Sequence, residues 1–181
     1  MNTPEDFFDE LKKHSDPKAT EFATIIIYGL ARAIQAKTTA EIGIFGGHVT
    51  VPLAHVMKRH GGKHYAIEID ETRIGRTRSL IRRDNLVDYC EFICGDSQKV
   101  EFNHKLDLLF VDGDHGENKV IHEVKKYWPL INRNGFMIFH DSIQYDSVSR
   151  ALNGSSVKSE REQAQVLEIE TPPGLTIWKK I

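Results

Sequence analysis

The chain has 181 residues, of which 40% are hydrophobic and 28% charged, and its formal net charge is −2. These values suit one globular domain with a sizeable core. The balanced charge argues against nucleic acid or an anionic membrane surface as the main partner, and no apolar run approaches the roughly 20 residues that cross a bilayer. The acidic N-terminus lacks the basic start of a signal peptide, so we expect a cytoplasmic protein.

The first 37 residues have helical patterns. They predict two helices, from the amphipathic positions Phe7, Phe8 and Leu11 and from the pair Asp16-Pro17, which is typical of a helix start. We expect residues 1–37 to pack on or cover a site formed by residues 38–181.

From about Thr38, apolar strands alternate with amphipathic helices. The strands are predicted at Thr39–Ile44, His64–Ile69, Cys90–Cys94, Leu106–Val111 and Phe136–His140, and the helices at Val49–His60, Thr72–Asp84 and Asn118–Trp128. Several strands are apolar on both faces, which favours a buried parallel sheet.

The C-terminal part breaks this alternation. Gln165–Glu170 and Leu175–Trp178 flank a proline-glycine turn and predict two antiparallel strands. Ser142–Ala164 lacks strong periodicity and is interpreted as a mobile loop with one helix, which could act as a lid. The fold class predicted is α/β, a Rossmann-like open and mostly parallel sheet with helices on both faces and a C-terminal antiparallel hairpin.

The two cysteines, Cys90 and Cys94, share one predicted strand. Four strand steps place them about 13 Å apart, too far for a disulfide. We expect both to be reduced, as in a cytoplasmic protein.

A glycine-rich turn, Glu41–Gly47, separates the first predicted strand from the following helix. It presents bare backbone N–H groups at a helix N-terminus, where the macrodipole favours an anionic group. The next apolar run ends at Glu68, near the spacing at which a nucleoside-binding βαβ unit places a carboxylate on ribose hydroxyls. The two features predict a nucleoside site, although a plain tight turn and a helix cap are the structural alternatives.

Glycine or acidic residues stand at the carboxyl ends of all five predicted parallel strands, at Gly43, Glu68, Asp96, Asp112 and Asp141. Ligands of open α/β sheets bind beyond these strand ends. We therefore expect the five residues to share one rim around one cleft.

With these positions identified, the chain resembles the class I S-adenosylmethionine-dependent methyltransferases from about Thr38 onward. Glu41, Gly43 and Gly47 match the family's first motif. Phe45 replaces its middle glycine, as in small-molecule O-methyltransferases such as the catechol type. Further matches are Glu68, Gly95-Asp96-Ser97-Gln98, Val111-Asp112-Gly113-Asp114-His115 and His140-Asp141, the last two resembling a bacterial branch that includes antibiotic-sugar O-methyltransferases.

The resemblance implies that S-adenosylmethionine binds at this rim. The backbone of Gly43–Gly47 would meet the methionine carboxylate, and Glu41 would supply a negative field near the ammonium and sulfonium groups. Glu68 would accept from both ribose hydroxyls, because a carboxylate has two oxygens for a diol. The remaining cofactor-binding residues implied are Asp96 or Ser97 at adenine, Phe45 and Ile69 as apolar flanks, and Asp112.

The expected reacting centre contains Asp112, Asp114, His115 and Asp141. His115 could act as general base for a hydroxyl acceptor. Alternatively, Asp112 and Asp141 could hold Mg²⁺ or another divalent cation, which would acidify a bound hydroxyl. The catechol enzymes use two aspartates and an asparagine, and Ser142 stands where that asparagine would be, so both alternatives stay open. His140 is a candidate additional ligand or second base.

The function predicted is O-methylation of a small hydroxylated metabolite. An NAD(P)-dependent oxidoreductase would share the glycine turn and Glu68, but the chain lacks the G-x-G-x-x-G spacing and a Tyr-x-x-x-Lys pair. A non-catalytic module that binds the cofactor or a partner is the other alternative. The N-terminal region is short for the family, so either a homodimer partner completes the site or the acceptor is large.

Overall fold

The computed structural model describes residues 17–181, with side chains from Phe22 onward. The helix predicted around Phe7 and the cap predicted at Asp16 lie outside the described residues. The role of residues 1–37 as a cover for the site therefore stays a prediction.

In chain order the helices are α1 (Pro17–Ala33), α2 (Thr50–His60), α3 (Glu71–Arg83), α4 (Glu117–Tyr127), α5 (Asp146–Asn153) and the short α6 (Lys158–Arg161). The strands are β1 (Thr38–Ile42), β2 (Lys63–Glu68), β3 (Cys90–Cys94), β4 (Leu106–Val111), β5 (Ile131–His140), β6 (Ala164–Ile169) and β7 (Leu175–Lys180). The predicted bounds agree within two residues, except that β5 begins five residues earlier than predicted.

The described strands form one seven-stranded sheet in the order β3-β2-β1-β4-β5-β7-β6. Strands β1 to β5 run parallel, while β7 is antiparallel to both β5 and β6. The predicted fold class, an open and mostly parallel sheet with an antiparallel hairpin, is confirmed. Strand order reverses between β1 and β4, and this is the position at which such sheets bind ligands.

Both faces of the sheet are buried. On β4, Leu109 and Val111 pack with α4 and α5, while Leu108 and Phe110 pack with α1 and α2. Alternate residues of one strand thus enter two separate cores, which explains the continuous apolar runs in the sequence.

The interpretation of Ser142–Ala164 as a loop with one helix was right about the helix and wrong about the loop. The segment contains α5 and α6, and Val148, Ala151, Leu152 and Val157 are buried in the same core as α4. The eight-residue length of α5 gives too few turns for its periodicity to stand out in the sequence.

Two simpler expectations concern cysteines and membranes. Cys90 and Cys94 are both free thiols, as predicted. None of the helices within residues 17–181 combines the length and apolar character that a bilayer crossing needs.

Candidate active site

A cleft of about 410 Å³ opens beyond the carboxyl ends of β1 to β4, within the size range of small-molecule sites. Eight candidate site residues from the sequence line it: Gly43, Glu68, Ile69, Asp96, Ser97, Asp112, Asp114 and His115. Four of the five residues expected at the rim, Gly43, Glu68, Asp96 and Asp112, therefore line one cleft. The fifth, Asp141, is not part of the lining and reaches the cleft through its contact with His115.

The glycine turn passes directly over the end of β4. Gly43 has φ +87°, and a Cβ atom there would lie 2.2 Å from the carbonyl oxygen of Asp112. Only glycine fits this close approach. The turn and Asp112 are thus held in a fixed relation at the centre of the cleft.

Glu68 is 4% exposed, and its carboxylate is tied to backbone on both oxygens. Oε1 accepts from the N–H groups of Ile69 and Asp70, at 2.8 and 3.0 Å, and Oε2 accepts from Ile44 N–H at 3.0 Å. A carboxylate has about four lone-pair sites, so Oε2 keeps capacity for a ligand hydroxyl. The helix cap that was the structural alternative belongs instead to Asp70, which accepts from Thr72 and Arg73.

The far wall of the cleft combines the loop after β3 with α4. Asp96 accepts from Gln98 N–H at 3.0 Å, and this bond, with the nearby Lys119 charge, lowers the pKa of the Asp96 carboxyl. The Ser97 hydroxyl donates to Oε1 of Glu123 at 2.7 Å. Glu123 is a buried acid that also lines the cleft.

Beyond the ends of β4 and β5 lies a group of acids and histidines. Nε2 of His115 is 2.7 Å from Oδ2 of Asp141, and the His115 ring stacks on Tyr145 with centroids 4.2 Å apart. Nδ1 of His140 lies 3.1 Å from Oδ1 of Asp112 and 3.3 Å from Oδ1 of Asp141. His140 thus bridges the carboxylates of Asp112 and Asp141, whereas His115 contacts the carboxylate of Asp141 alone.

Residues 40–142 match a family model described as methyltransferase domain, which is more than half of the chain. The chain belongs to the class I S-adenosylmethionine-dependent methyltransferases.

Solved structures share the fold of this methyltransferase. It is similar to cofactor-bound Rv0187 from MTB, at 20% identity and TM-score 0.78 over 96% of this chain and 85% of that one. An O-methyltransferase from Bacillus cereus in complex with SAH is 19% identical, with TM-score 0.71 over 99% and 93% of the two chains. SAH-bound PaMTH1 from Podospora anserina is 14% identical, with TM-score 0.70 over 96% and 86%.

Among curated proteins, the uncharacterized protein R132 of Acanthamoeba polyphaga mimivirus is 38% identical over 40 residues. The match covers 22% of the methyltransferase and 18% of R132, so it spans less than a fifth of that relative. The family model, rather than this short match, carries the identification.

Two titrating groups of the methyltransferase set the charge of the reacting centre. Burial opposes the charged form of His140, but hydrogen bonds to Asp112 and Asp141 outweigh it and raise the pKa of His140 to about 9. Burial acts to raise the pKa of Asp141, and the His140 hydrogen bond and charge outweigh it and lower that pKa. His140 is therefore a cation between two carboxylates at neutral pH, which does not suit the base or ligand role considered for it.

Asp112, His115 and Asp141 also fit a divalent cation. One ligand atom from each lies within 4.8 Å of the others. The hydroxyl of Ser142, next to Asp141, is buried and has no hydrogen-bond partner among the described residues. Two carboxylates and an imidazole form a donor set that several divalent metals accept.

Three residues predicted to bind the cofactor lie outside the cleft lining. Glu41 is 2% exposed and sits behind the glycine turn, where its Oε2 accepts from Thr50 Oγ1 at 2.6 Å. Burial raises the pKa of Glu41 well above its usual value, which works against the negative field expected of it. Phe45 is 67% exposed. Gly47 has φ +82°, and a Cβ atom there would lie 2.7 Å from Cγ2 of Thr77.

The sequence reasoning missed Arg73, Lys119 and Glu123, all of which line the cleft. Arg73 lies on the helix predicted at Thr72–Asp84, and its guanidinium is 3.7 Å from Oε2 of Glu68 and over the Phe45 ring. Glu123 did carry a signal, since it lies on the apolar face of α4 with Val120 and Tyr127, where a lone acid is unusual.

Proposed function

We propose that this methyltransferase transfers the methyl group of S-adenosylmethionine to a hydroxyl oxygen of a small molecule. The observation that carries this proposal is the contact of 2.7 Å between His115 and Asp141, with His115 in the wall of the cleft. A hydroxyl acceptor must lose its proton as its oxygen attacks, and a histidine oriented by a carboxylate is suited to take that proton.

In this proposal the donor lies along the cleft. The glycine turn at Gly43 receives the methionine carboxylate. Oε2 of Glu68 accepts a hydrogen bond from a ribose hydroxyl, which lies beside the Arg73 guanidinium. Asp96 accepts from the exocyclic amine of adenine, and Ile69, 70% exposed at the rim, covers one side of the nucleoside. Asp112 lies between the donor and the acceptor.

The reaction balances within these groups. The acceptor oxygen attacks the methyl carbon in line with the carbon–sulfur bond, and the electrons of that bond pass to sulfur, leaving neutral S-adenosylhomocysteine. The hydroxyl proton passes to His115, whose imidazolium form Asp141 stabilises. Most of the acceleration then comes from holding the two reactants in line.

A second arrangement uses the same side chains. Asp112, Asp141 and His115 would hold Mg²⁺ or another divalent cation, which supplies a Lewis acid that lowers the pKa of a bound hydroxyl. We favour the His115 base, because the protonated His140 already contacts both carboxylates. Activity that persists after dialysis against EDTA supports the base, whereas a loss that Mg²⁺ restores assigns the cation.

The similar O-methyltransferase from Bacillus cereus supports an oxygen acceptor, although at 19% identity it is a likeness of fold. Closure of the acceptor side by residues 1–37 or by a second copy in a homodimer is a separate prediction. Sedimentation equilibrium at several concentrations tests the homodimer.

The test is methyl transfer from labelled S-adenosylmethionine to a panel of phenols, catechols and sugars. We expect at least one acceptor to be methylated on oxygen, with loss of transfer in Asp112→Asn. The control Asp88→Asn should keep full transfer, because this exposed aspartate precedes the amino end of β3 and the cleft lies beyond the carboxyl end. Methylation only of amines, or transfer undiminished in Asp112→Asn, would contradict the proposal.

A further inference from the structure

At the adenine end of the cleft, one buried acid is not accounted for by the functions proposed above. Glu123 on α4 is 1% exposed and lines the cleft. Its Oε1 accepts from Ser97, but Oε2 is buried without a hydrogen-bond partner among residues 17–181. A buried carboxyl oxygen left unpaired carries a penalty that a ligand group can remove.

We infer that the Glu123 carboxyl, as a neutral acid, donates a hydrogen bond from Oε2 to a ring nitrogen of the bound adenine. The inference rests on the proposed cofactor site, and it makes Glu123 a residue that determines specificity for the base. Ser97 fixes Oε1 as the acceptor of the carboxyl group, which leaves Oε2 to carry the proton.

The chemistry of adenine calls for such a donor. Its ring nitrogens only accept hydrogen bonds, and its 6-amino group donates them. Among the side chains at this end, Asp96 is ionised and can only accept hydrogen bonds. The Ser97 hydroxyl already donates its hydrogen bond to Oε1 of Glu123. Lys119 is engaged with Asp96 at 3.6 Å and with Gln98 at 3.4 Å. Glu123 is therefore the carboxyl best placed to donate.

Burial, supported by nearby acids, lets Glu123 keep its proton up to about neutral pH. Burial raises its pKa to about 7, against the Ser97 hydrogen bond. Asp96 from the loop after β3 and Asp114 from the loop after β4 act in the same direction as burial, while Lys119 on α4 opposes it. Lys126 and Tyr127, also on α4, bind the carbonyl oxygen of Ser97 and hold this loop in place.

The pKa values of Asp96 and Glu123, at one end of the cleft, are thus shifted in opposite directions. Asp96 stays charged and accepts, while Glu123 holds its proton and donates. A pair of titratable groups whose environments push their pKa values apart has divided roles, and here the division matches the amine and the ring nitrogen of one base.

The test is calorimetric titration of the full chain with S-adenosylhomocysteine at about pH 6 and about pH 8.5, where Glu123 is mostly protonated and mostly ionised. The wild type should lose on the order of tenfold in affinity at the higher pH, because the donor is lost and a carboxylate faces the ring nitrogen. Glu123→Gln keeps a donor at every pH, so its affinity should change by less than about twofold. Glu117→Gln changes the other glutamate of the same helix, which is partly exposed and pairs with Arg150, and should follow the wild type.

A second arm uses S-adenosylhomocysteine in which carbon replaces N1, N3 or N7 of the base. One of these analogues should bind the wild type about tenfold more weakly at pH 6, and Glu123→Leu should not distinguish it from the parent ligand. Thermal unfolding of each variant checks that a loss of affinity is not a loss of fold.

The outcomes separate the two proposals. If the folded wild type does not bind S-adenosylhomocysteine at all, both the cofactor site and the role of Glu123 are overturned. If the wild type binds but its affinity does not change with pH, or if Glu123→Gln shows the same change, the role of Glu123 is overturned and the cofactor site stands.

Discussion

The two ends of the cleft are built on different principles. At the nucleoside end, Glu68 and Asp96 are held by backbone N–H groups, mostly from residues close to them in sequence and, for Glu68, also from Ile44. At the reacting end, Asp112, His140 and Asp141 are held by one another across two strands. A carboxylate fixed by local backbone is already in place for a neutral ligand such as ribose, whereas paired charges can exchange protons during a reaction.

The sheet register explains the reacting end. Val111 of β4 pairs with Phe139 of β5, so the next residue on each strand, Asp112 and His140, face each other. The backbone then turns at Asp141, which has φ +57°, and this brings its carboxylate to His115. Parallel pairing, rather than any local motif, assembles the acids and histidines.

The largest effect is expected at the reacting end. His115→Gln should lower kcat by about 10²–10⁴-fold, because the group that takes the acceptor proton is lost. Affinity for S-adenosylhomocysteine should stay within about threefold, since the cofactor contacts lie elsewhere. The exposed control His122→Gln should retain full activity. If His115→Gln lost cofactor affinity by the same factor as kcat, His115 would act in cofactor binding as well as in catalysis, and the two ends would not have separate roles.

A change at the nucleoside end should act on binding. Glu68→Gln sets an amide NH₂ against backbone N–H donors and weakens the ribose contact, so affinity for S-adenosylhomocysteine should fall by about 10- to 100-fold. Calorimetry measures this, with Glu91→Gln on the exposed side of β3 as the matched control. If Glu68→Gln binds S-adenosylhomocysteine with unchanged affinity, the Glu68 carboxylate does not contact the cofactor.

Beneath the nucleoside end, the buried His64 should make stability depend on acid. Burial lowers the pKa of His64 to about 3, so the folded chain binds fewer protons than the unfolded chain between that value and the usual value near 6.5. Its stabilising effect is present above pH 6.5 and is lost as pH falls, by about 2 kcal/mol at pH 5.

Urea unfolding between pH 7 and pH 5 measures the loss. His64→Asn keeps a polar partner for Thr39, which lies 3.0 Å from Nδ1, and should remove this part of the pH dependence. His122→Asn should leave it unchanged. If wild type and His64→Asn lose stability in parallel, His64 is not the group responsible.

The smallest effect is expected at Phe45, which holds φ +46° in the glycine turn. Phe45→Gly relieves a left-handed conformation but gives up the contact with Arg73 and adds freedom to the unfolded chain. These contributions nearly cancel, so unfolding free energy should change by less than about 1 kcal/mol. A loss of several kcal/mol in chemical denaturation would show that the aromatic ring is a structural requirement.

The sequence predicted the strand ends well because both the apolar runs and the glycine turn are local signals. It therefore located Gly43, Glu68, Asp96 and Asp112 at one rim. The assignment of Glu41 to the cofactor stays a prediction, and the motif spacing did not show that its side chain is buried away from the cleft lining. The buried position of Glu41 against Thr50 depends on how α2 packs, which is a tertiary property.

Contacts between distant segments were beyond the sequence. Arg73 meets Glu68 only because α3 folds back over the end of β2, and Glu123 meets Ser97 only because α4 packs against the loop after β3. The packing of Ser142–Ala164, predicted as a loop with one helix, depended on tertiary contacts for a related reason, since short helices derive their stability from the core they cover.

The central claim is that one nucleoside lies across the ends of β1 to β4, and a crystal structure with S-adenosylhomocysteine bound tests it most directly. We predict a ribose hydroxyl within hydrogen-bond distance of Oε2 of Glu68, the base between Asp96 and Glu123, and the sulfur facing Asp112. Well-ordered ligand bound on another face of the sheet, with this cleft empty, would contradict the account.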